Sequence, residues 1–261
     1  MSDKKFFFFD IDGTIAVDIP RRVPESTKRT LNKLKENGHF VSIATGRMYV
    51  MTTEFCEQFG IENMVTDGGK GIVIDGNPNI EPLDHSMMLT LTKELDEKNI
   101  PWSVCIKNER KWYMKDDRFH NAMKDVIKFK NYMQTIIKED LDIEKEKNIF
   151  KGFVFIDIET EKTIKSLENT TYTRYHSDYI IIEADDKSVG IKKIMDIMNI
   201  NDKDVVVFGD NTNDIKMFRP EWTKIAMGNS VQQLKEIADF VTKDADDDGI
   251  EFACKYFGWI D

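Results

Sequence analysis

The sequence contains few cysteines and histidines, and their spacing argues against several kinds of site. Its three cysteines, Cys56, Cys105 and Cys254, are scattered along 261 residues. An odd count without a Cys-x-x-Cys pair argues against a disulfide framework and against a zinc site. The four histidines also lack the spacing of a metal site. We therefore expect reduced or buried thiols and structural or surface histidines.

The sequence also lacks a long apolar run, a nucleotide-binding glycine loop and an excess of positive charge. No stretch reaches the roughly 18 apolar residues of a membrane-spanning helix, and the chain start does not resemble a signal peptide. Residues 67–71 have neither the Walker spacing nor a complete Gly-x-Gly-x-x-Gly motif. A net charge of −10 argues against nucleic-acid binding. These absences predict a cytoplasmic protein without a nucleic-acid or membrane partner, and no feature predicts a protein partner.

The most informative stretch is residues 6–14, where four phenylalanines are followed by Asp10, Asp12, Gly13 and Thr14. A short apolar run that ends at a turn signal is typical of a buried strand. The carboxyl end of such a strand is where open α/β sheets bind ligands. Two carboxylates this close repel each other unless a cation is bound, and oxygen ligands favour Mg²⁺. A carboxylate beside Mg²⁺ is also a suitable nucleophile toward phosphorus.

Gly13 would allow a sharp turn, and Thr14 could donate a hydrogen bond to a phosphate oxygen. A strand followed by a solvated Asp-Gly turn would use the same residues, because Asp and Gly are common in turns. The stretch alone therefore leaves both interpretations open.

The order of the predicted elements indicates an α/β fold with an insertion. Strands and helices alternate up to about residue 60 and again from residue 185, which predicts a parallel sheet with right-handed crossovers. Between them the pattern changes to αββ, αβ and αββ with alternating hydrophobicity, as in a one-face-buried antiparallel sheet. We therefore expect a Rossmann-like, doubly wound parallel core and an inserted α+β cap domain of ordinary size. The predicted limits are 1–83 and 184–261 for the core and 84–183 for the cap.

A second acidic cluster follows a predicted buried strand late in the chain. Residues 204–208 form the strand, and Asp210 and Asp214 follow it. Because parallel strands end at one edge of the sheet, this cluster should converge with Asp10. A divalent cation and Lys187 would then compensate the negative charge. Separate acidic surface loops, screened by salt, are the other interpretation.

Thr45 ends the second predicted strand and is therefore expected at the same edge of the sheet. Its hydroxyl, or the backbone N–H groups at the start of the next helix, could bind a phosphate. A helix N-cap would use the same hydroxyl, and the spacing alone favours the cap. The two roles are compatible.

Four of these segments resemble the motifs of one family in order and spacing. Residues 10–14 resemble motif I of the haloacid dehalogenase superfamily, Asp-x-Asp-Gly-Thr, and residues 45–47 resemble motif II of its Cof-type branch, Thr-Gly-Arg. Lys187 resembles the motif III lysine, and residues 209–214 resemble motif IV, Gly-Asp-x-x-Asn-Asp. Two further segments, 226–229 and 247–250, are similar to that branch. The resemblance covers the whole core, whereas the cap is matched only by position and by its αββ pattern.

Two positions depart from the family pattern. Ser188 follows the motif III lysine where many relatives have glycine, and Asp67-Gly68 replaces the Asn-Gly of many relatives. Neither position touches the expected chemistry, although the second could alter what its loop recognises.

The resemblance implies a Mg²⁺-dependent phosphatase that acts on small phosphorylated metabolites, most simply sugar phosphates. Asp10 would be the nucleophile and Asp12 the general acid and base. Thr45 and Lys187 would bind the transferring phosphoryl group. Mg²⁺ would be held by Asp10, the backbone carbonyl of Asp12, and Asp210. Other residues would support the site: Gly46, Arg47 and Asn213 as phosphate- or substrate-binding residues, and Asp214 to orient Lys187 or a metal-bound water.

Two other functions stay open at this point. A phosphotransferase or phosphomutase would pass the phosphoryl group to a sugar rather than to water, and Asp12 serves either reaction. A non-catalytic metabolite-binding regulator would keep the pocket, but it has no need of a nucleophile. The cap would set the substrate. Its aromatic residues Trp102, Trp112 and Tyr113 could face a sugar, but at hairpin spacing they are more typical of core or cross-strand pairs.

Overall fold

The computed structural model describes residues 4–17, 22–124 and 133–261. The chain forms two units. The core unit contains Met1–Arg47, Thr52–Asn79 and Asp186–Asp261, and the cap unit contains Met48–Met51 and Ile80–Asp185. The limits that the sequence suggests for the inserted domain, 84–183, stay a prediction.

In the first part of the chain, the residues that the structure describes form five strands and two helices. They are β1 (Phe6–Phe9), α1 (Glu25–Glu36), β2 (Phe40–Ala44), α2 (Tyr49–Glu57), β3 (Asn63–Thr66), β4 (Gly71–Ile74) and β5 (Asn77–Ile80). A 3₁₀ turn, Asp67–Gly69, joins β3 to β4. The sequence predicts a hairpin with its turn at 75–78, whereas in the structure the second strand, β5, already begins at Asn77. The local sequence Asn-Pro-Asn does not favour a strand. β5 forms because it pairs with its neighbour β4.

The described residues in the middle of the chain form six strands and three helices. They are α3 (His85–Glu97), β6 (Trp102–Ile106), β7 (Lys111–Met114), α4 (Arg118–Met123), β8 (Gln134–Ile137), β9 (Ile149–Phe155), α5 (Ile158–Glu161), β10 (Tyr172–His176) and β11 (Tyr179–Ile182). The helix predicted over 119–130 extends beyond α4 into positions outside the described residues. The single helix predicted at 161–167 is wrong, because α5 ends at Glu161 and a separate 3₁₀ turn, Lys165–Asn169, follows.

The last part of the chain returns to alternating strands and helices. They are α6 (Lys187–Met198), β12 (Val205–Gly209), β13 (Thr223–Ala226), α7 (Gln232–Ile237), β14 (Phe240–Val241) and α8 (Gly249–Tyr256). Two 3₁₀ turns flank β12, at Asp202–Asp204 and Thr212–Met217.

β1 lies inside the core sheet, whose strand order is β14-β13-β12-β1-β2-β3-β4-β5. Each pair from β14 to β3 is parallel, and β3 and β4 are antiparallel. Phe8 packs in one cluster with Ile191 of α6, whereas the ring centroid of Phe7 lies 4.9 Å from that of Trp259, which follows α8. α6 and the segment after α8 thus cover the two faces of β1, which explains its continuous apolar sequence. The predicted Rossmann-like α/β core with an inserted α+β cap is confirmed.

The cap unit has its own sheet, with the order β10-β11-β9-β6-β7-β8. Its pairs are antiparallel except β7 with β8, so the expectation of a wholly antiparallel sheet is wrong at that edge. The sequence predicts a polar stretch where β8 lies. Its residues 134–137 pair with β7, and such a pairing partner is not visible in local polarity. Trp102 and Trp112 are buried, as core or cross-strand residues would be.

The three cysteines, Cys56, Cys105 and Cys254, are buried free thiols. Burial raises the pKa of the Cys56 thiol to about 12. In the part of the chain that the structure describes, no helix combines the length and the apolar character that crossing a membrane requires.

Candidate active site

The two acidic clusters meet because β1 and β12 are parallel neighbours. Phe9 pairs with Phe208, and the backbone N–H of Asp10 donates to the carbonyl of Phe208 at 3.0 Å. Asp10 and Asp210 therefore leave the sheet side by side. One carboxylate oxygen from each of three residues, Asp10, Asp210 and Asp214, lies within 4.8 Å of the others. With Lys187, these three residues form what we call the acid–lysine cluster.

Lys187 is the buried cation of the cluster. Its Nζ lies 2.5 Å from Oδ1 of Asp10 and 2.5 Å from Oδ1 of Asp214, and the residue is only 2% exposed. Lys187 begins α6, and close packing of this helix determines its position. A Cβ at Gly190, one turn on, would lie 2.5 Å from Cγ1 of Val65 in β3. A larger residue at position 190 would push the helix, and Lys187 with it, away from the sheet.

Ser188, which departs from the family pattern, fits the start of α6. Its hydroxyl donates to Oδ1 of Asp186 at 2.6 Å, and its backbone N–H donates to the same oxygen at 3.0 Å. Asp186 is the N-cap of the helix, so the extra hydroxyl strengthens the cap. Glycine is thus not required directly after Lys187.

Burial and mutual repulsion alter the ionisation of the cluster. Burial raises the pKa of Asp10 to about 7, since the attraction of Lys187 only partly opposes it. Burial, with repulsion from Asp10 and Asp214, raises the pKa of Asp210 to about 8. Burial by itself would lower the pKa of Lys187, but Asp10 and Asp214 outweigh it and raise that pKa. Because one lysine does not compensate the full negative charge of these carboxylates, the protonated forms of Asp10 and Asp210 are favoured in the metal-free protein.

Asp214 uses both of its oxygens inside the protein. Oδ1 accepts from Lys187, and Oδ2 accepts from the backbone N–H groups of Asp210 at 2.9 Å and Asn211 at 3.1 Å. Asp214 therefore holds the loop after β12 and orients Lys187. Asp10 and Asp210 are left as the carboxylates suited to a hard divalent cation, so the donor set fits Mg²⁺.

The turn after β1 packs directly on Asp210. Gly13 has φ +85°, and a Cβ there would lie 2.2 Å from Oδ2 of Asp210. The hydroxyl of Thr14 donates to Oδ1 of Asp210 at 3.3 Å. The sharp turn expected at Gly13 is thus present, and Thr14 contacts a carboxylate of the site itself.

Asp12 lies beside the cluster rather than inside it. Its side chain is 55% exposed, and both of its oxygens accept hydrogen bonds from Arg47, Oδ2 at 3.0 Å from Nε and Oδ1 from Nη2. The Arg47 side chain is mostly buried, and its Cζ lies 5.8 Å from the ring centroid of Phe55. Arg47, expected as a phosphate- or substrate-binding residue, here binds Asp12.

Thr45 is buried at the end of β2. Its hydroxyl accepts from the backbone N–H of Arg47 at 3.2 Å, a contact of the capping type. α2 begins only at Tyr49, so Thr45 is not the N-cap of that helix. The hydroxyl proton is still a donor for a ligand oxygen. Two other predicted residues lie outside the acid–lysine cluster: Gly46 is half-buried, and Asn213 is exposed on the turn after β12.

The sequence predicts at 67–71 a loop that leads into a hairpin, and in the structure this loop also supports the site. The backbone N–H groups of Asp67 and Gly68 donate to the carbonyls of Arg47 at 2.8 Å and Thr45 at 3.3 Å. The carbonyl of Gly68 accepts from the N–H of Asp186 at 3.1 Å. The loop thus connects the end of β2 with the start of α6. Its signal in the sequence is the Asp-Gly-Gly run, in which all three residues have positive φ.

Comparisons with known proteins agree over nearly the whole chain. Residues 7–253 match the haloacid dehalogenase-like hydrolase family. The candidate phosphatase YkrA of Bacillus subtilis (strain 168) is 34% identical over 262 residues, which cover 99% of each chain. A hypothetical protein from Geobacillus kaustophilus HTA426 has a similar solved structure, with 30% identity, a TM-score of 0.85, and coverage of 98% of this chain and 100% of that one. The subclass IIB sugar phosphatase BT4131 is 25% identical, with a TM-score of 0.77 and the same coverage.

Proposed function

The chain belongs to the haloacid dehalogenase-like hydrolase family and is a phosphatase, and we propose that it uses Mg²⁺ and an aspartyl-phosphate to hydrolyse small phosphorylated metabolites. The family to which the sequence motifs pointed is thereby confirmed. One observation carries the proposal beyond the family: a buried carboxylate, Asp10, lies 2.5 Å from Lys187 and close to Asp210. This arrangement supports the proposed roles of Asp10 as nucleophile, Lys187 as the cation for the phosphoryl group and Asp210 as a metal ligand.

In the first step, Asp10 is the nucleophile. One of its carboxylate oxygens attacks phosphorus, the bond from phosphorus to the leaving oxygen breaks, and an aspartyl-phosphate forms. Asp12 gives its proton to the leaving alkoxide. Lys187 and the Thr45 hydroxyl donate hydrogen bonds to the phosphoryl oxygens as charge develops on them.

In the second step, Asp12 acts in the reverse direction. As a carboxylate it takes a proton from a water molecule, whose oxygen attacks phosphorus. The acyl-phosphate bond breaks, Asp10 regains its carboxylate, and inorganic phosphate leaves. The hydrogen bonds from Arg47 support this role, because they orient Asp12 as a carboxylate.

Mg²⁺ would be held by Asp10, Asp210 and the backbone carbonyl of Asp12. When bound, the ion supplies positive charge that lets an anionic nucleophile approach an anionic phosphate. Asp214 supports the site through its hydrogen bonds to Lys187 and to the backbone of Asp210.

Sugar phosphates are the proposed substrate class, because the structurally similar BT4131 is a sugar phosphatase. Gly46 and Asn213 are proposed as phosphate- or substrate-binding residues. The cytoplasmic location and the expectation of no nucleic-acid, membrane or protein partner stay predictions.

The proposal is tested by measuring inorganic phosphate released from a panel of phosphorylated sugars, nucleotides and cofactors, with Mg²⁺ and with EDTA. We expect Mg²⁺-dependent release that is strongest on a few hexose or pentose phosphates. Metal-independent release would contradict the role of Mg²⁺. An isomerised sugar phosphate in place of free phosphate would identify a phosphomutase, and no turnover of any compound by the folded, Mg²⁺-binding protein would favour a regulator.

A further inference from the structure

The segment between β13 and α7, residues 227–231, contacts the loop that carries one of the carboxylates. The backbone N–H of Met227 donates to the carbonyl of Gly209 at 3.0 Å. The N–H of Val231 donates to the carbonyl of Asp210 at 2.9 Å. The segment therefore holds the main chain of Asp210 from two sides.

Asn229, at the centre of this segment, reaches the other carboxylate-bearing turn. Its Nδ2 donates to the carbonyl of Gly13 at 2.8 Å, and its Oδ1 accepts from the backbone N–H of Ala245 at 2.8 Å. Both ends of the amide are engaged, so its orientation is determined. One side chain thus ties the turn after β1 to the loop at 243–249.

The loop at 243–249, to which Asn229 is bonded, is itself held by hydrogen bonds and close packing. The carbonyl of Lys243 accepts from the N–H of Gly228 at 2.9 Å, and the hydroxyl of Thr242 donates to the carbonyl of Gly249 at 2.6 Å. A Cβ at Gly228 would lie 2.3 Å from Oδ1 of Asp244, and one at Gly249 would lie 2.2 Å from the carbonyl oxygen of Lys243. Backbone packs on backbone here, which leaves little room for movement. The two family-like segments, 226–229 and 247–250, thus pack on the same residues, 243–244, and together restrain Asn229.

The position of Gly13 matters because Asp210 lies against it. Without space for a Cβ between them, a displacement of the Gly13 carbonyl moves the turn relative to the Asp210 carboxylate. Mg²⁺ is exacting about such changes, since it requires near-octahedral oxygen ligands at about 2.0–2.1 Å. A carbonyl restrained by Asn229 is therefore well placed to keep the ligands at the required spacing.

We propose that Asn229 is a positioning residue for the Mg²⁺ site. It restrains the turn after Asp10 against the loop of Asp210. The metal ligands from these two distant parts of the chain thereby keep the spacing that Mg²⁺ requires. The inference rests on the Mg²⁺ site of the proposed function. Asn229 itself is not a ligand, because its amide oxygen and nitrogen are both engaged with backbone groups.

The test is Mg²⁺ binding by isothermal titration calorimetry to the wild type, Asn229→Ala and the control Asn37→Ala. Asn37 makes the same kind of bond, from Nδ2 to the carbonyl of Trp259 at 2.9 Å, at another place in the core unit. We expect Asn229→Ala to weaken Mg²⁺ binding roughly tenfold, as other supporting contacts of metal sites do, and Asn37→Ala to leave it unchanged. Saturating Mg²⁺ should return the kcat of Asn229→Ala close to that of the wild type, with the KM for substrate unaltered.

Wild-type affinity in Asn229→Ala, or an equal loss in Asn37→Ala, would overturn the inference. A wild type that binds no Mg²⁺ would instead overturn the proposed function. Asn229→Asp serves if Asn229→Ala does not fold, because it keeps the acceptor for Ala245 and loses only the donor to Gly13. Weaker Mg²⁺ binding in this variant, despite its added negative charge, would support the inference, and unchanged or tighter binding would refute it.

Discussion

Arg47 holds Asp12 by both carboxylate oxygens, Nε donating to Oδ2 at 3.0 Å and Nη2 to Oδ1. The guanidinium is itself restrained, because its side chain is mostly buried beside Phe55. Asp12 is largely exposed and would otherwise sample several rotamers. The pair therefore ties the orientation of the proposed acid and base to motif II.

If Arg47 acts through Asp12, its loss should depend on the leaving group. We expect Arg47→Ala to lower kcat/KM about 100-fold on a sugar phosphate, whose alkoxide must be protonated as it leaves. On 4-nitrophenyl phosphate, whose leaving group needs no proton, the loss should be smaller than tenfold. Steady-state kinetics on both substrates make the comparison. Arg47→Lys should recover little, because lysine cannot form the two-oxygen contact.

The matched control for this prediction is Arg219→Ala. Arg219 pairs with Glu221 at 2.7 Å on the exposed surface of the same unit. The Arg219→Ala variant should retain wild-type kinetics on both substrates. Equal losses on both substrates in Arg47→Ala would indicate that Arg47 binds the phosphate directly, as the sequence suggests.

Asp10→Asn should abolish turnover while the fold stays intact. The amide has the shape of the carboxylate but is not a nucleophile toward phosphorus. Because burial already raises the pKa of Asp10 to about 7, an uncharged group is tolerated there, and we expect a metal-free Tm no lower than that of the wild type. Phosphate release and a thermal melt on the same preparation test both parts. Near-normal phosphatase activity would remove Asp10 as the nucleophile.

Lys187→Met should destabilise the protein strongly. It removes the cation between two buried carboxylates, Asp10 and Asp214, and breaking a buried ion pair in this way costs about 3–5 kcal/mol. Urea unfolding without Mg²⁺ measures the free energy. Lys192→Met on the same helix, where the lysine is exposed and 3.6 Å from Glu221, is the control and should change little. A loss below about 1 kcal/mol in Lys187→Met would argue against a stabilising ion pair between Lys187 and the two carboxylates.

The stabilisation by Mg²⁺ should increase with pH. The pKa values of Asp10 and Asp210 are raised to about 7 and about 8, so the metal-free folded state holds protons that the unfolded state has released. Stability of the metal-free protein therefore falls as pH rises from the ordinary carboxylate range through about 8. Mg²⁺ has to displace these protons, so it binds more weakly at low pH.

The measurement is the shift in Tm at one fixed Mg²⁺ concentration, at about pH 6 and about pH 8.5. We expect the larger shift at the higher pH. Asp210→Asn, which removes one of the two titrating ligands, should reduce the shift at both values. An equal shift at both pH values in the wild type would count against Asp10 and Asp210 as the ligands.

Much of the site follows from local sequence and topology. The apolar run at 6–9 is typical of a buried strand, and parallel strands end at one edge of a sheet. Those two facts are enough to predict that Asp10 and Asp210 lie close together. The charge argument likewise anticipates Lys187 beside them, because so many buried carboxylates need a cation.

The tertiary structure alone decided which polar atoms pair across the loops. Arg47 binds Asp12, Thr14 binds Asp210, and Asn229 binds Gly13. Each of these pairs joins loops that are distant in sequence, and their geometry depends on how whole elements pack. The edge strand β8 was likewise decided by the tertiary structure, since it forms by pairing with β7. Hydrophobic pattern predicts which strands are buried because apolar residue types favour burial. Hydrogen-bond partners depend on position and direction to within a few tenths of an ångström, which only the folded chain provides.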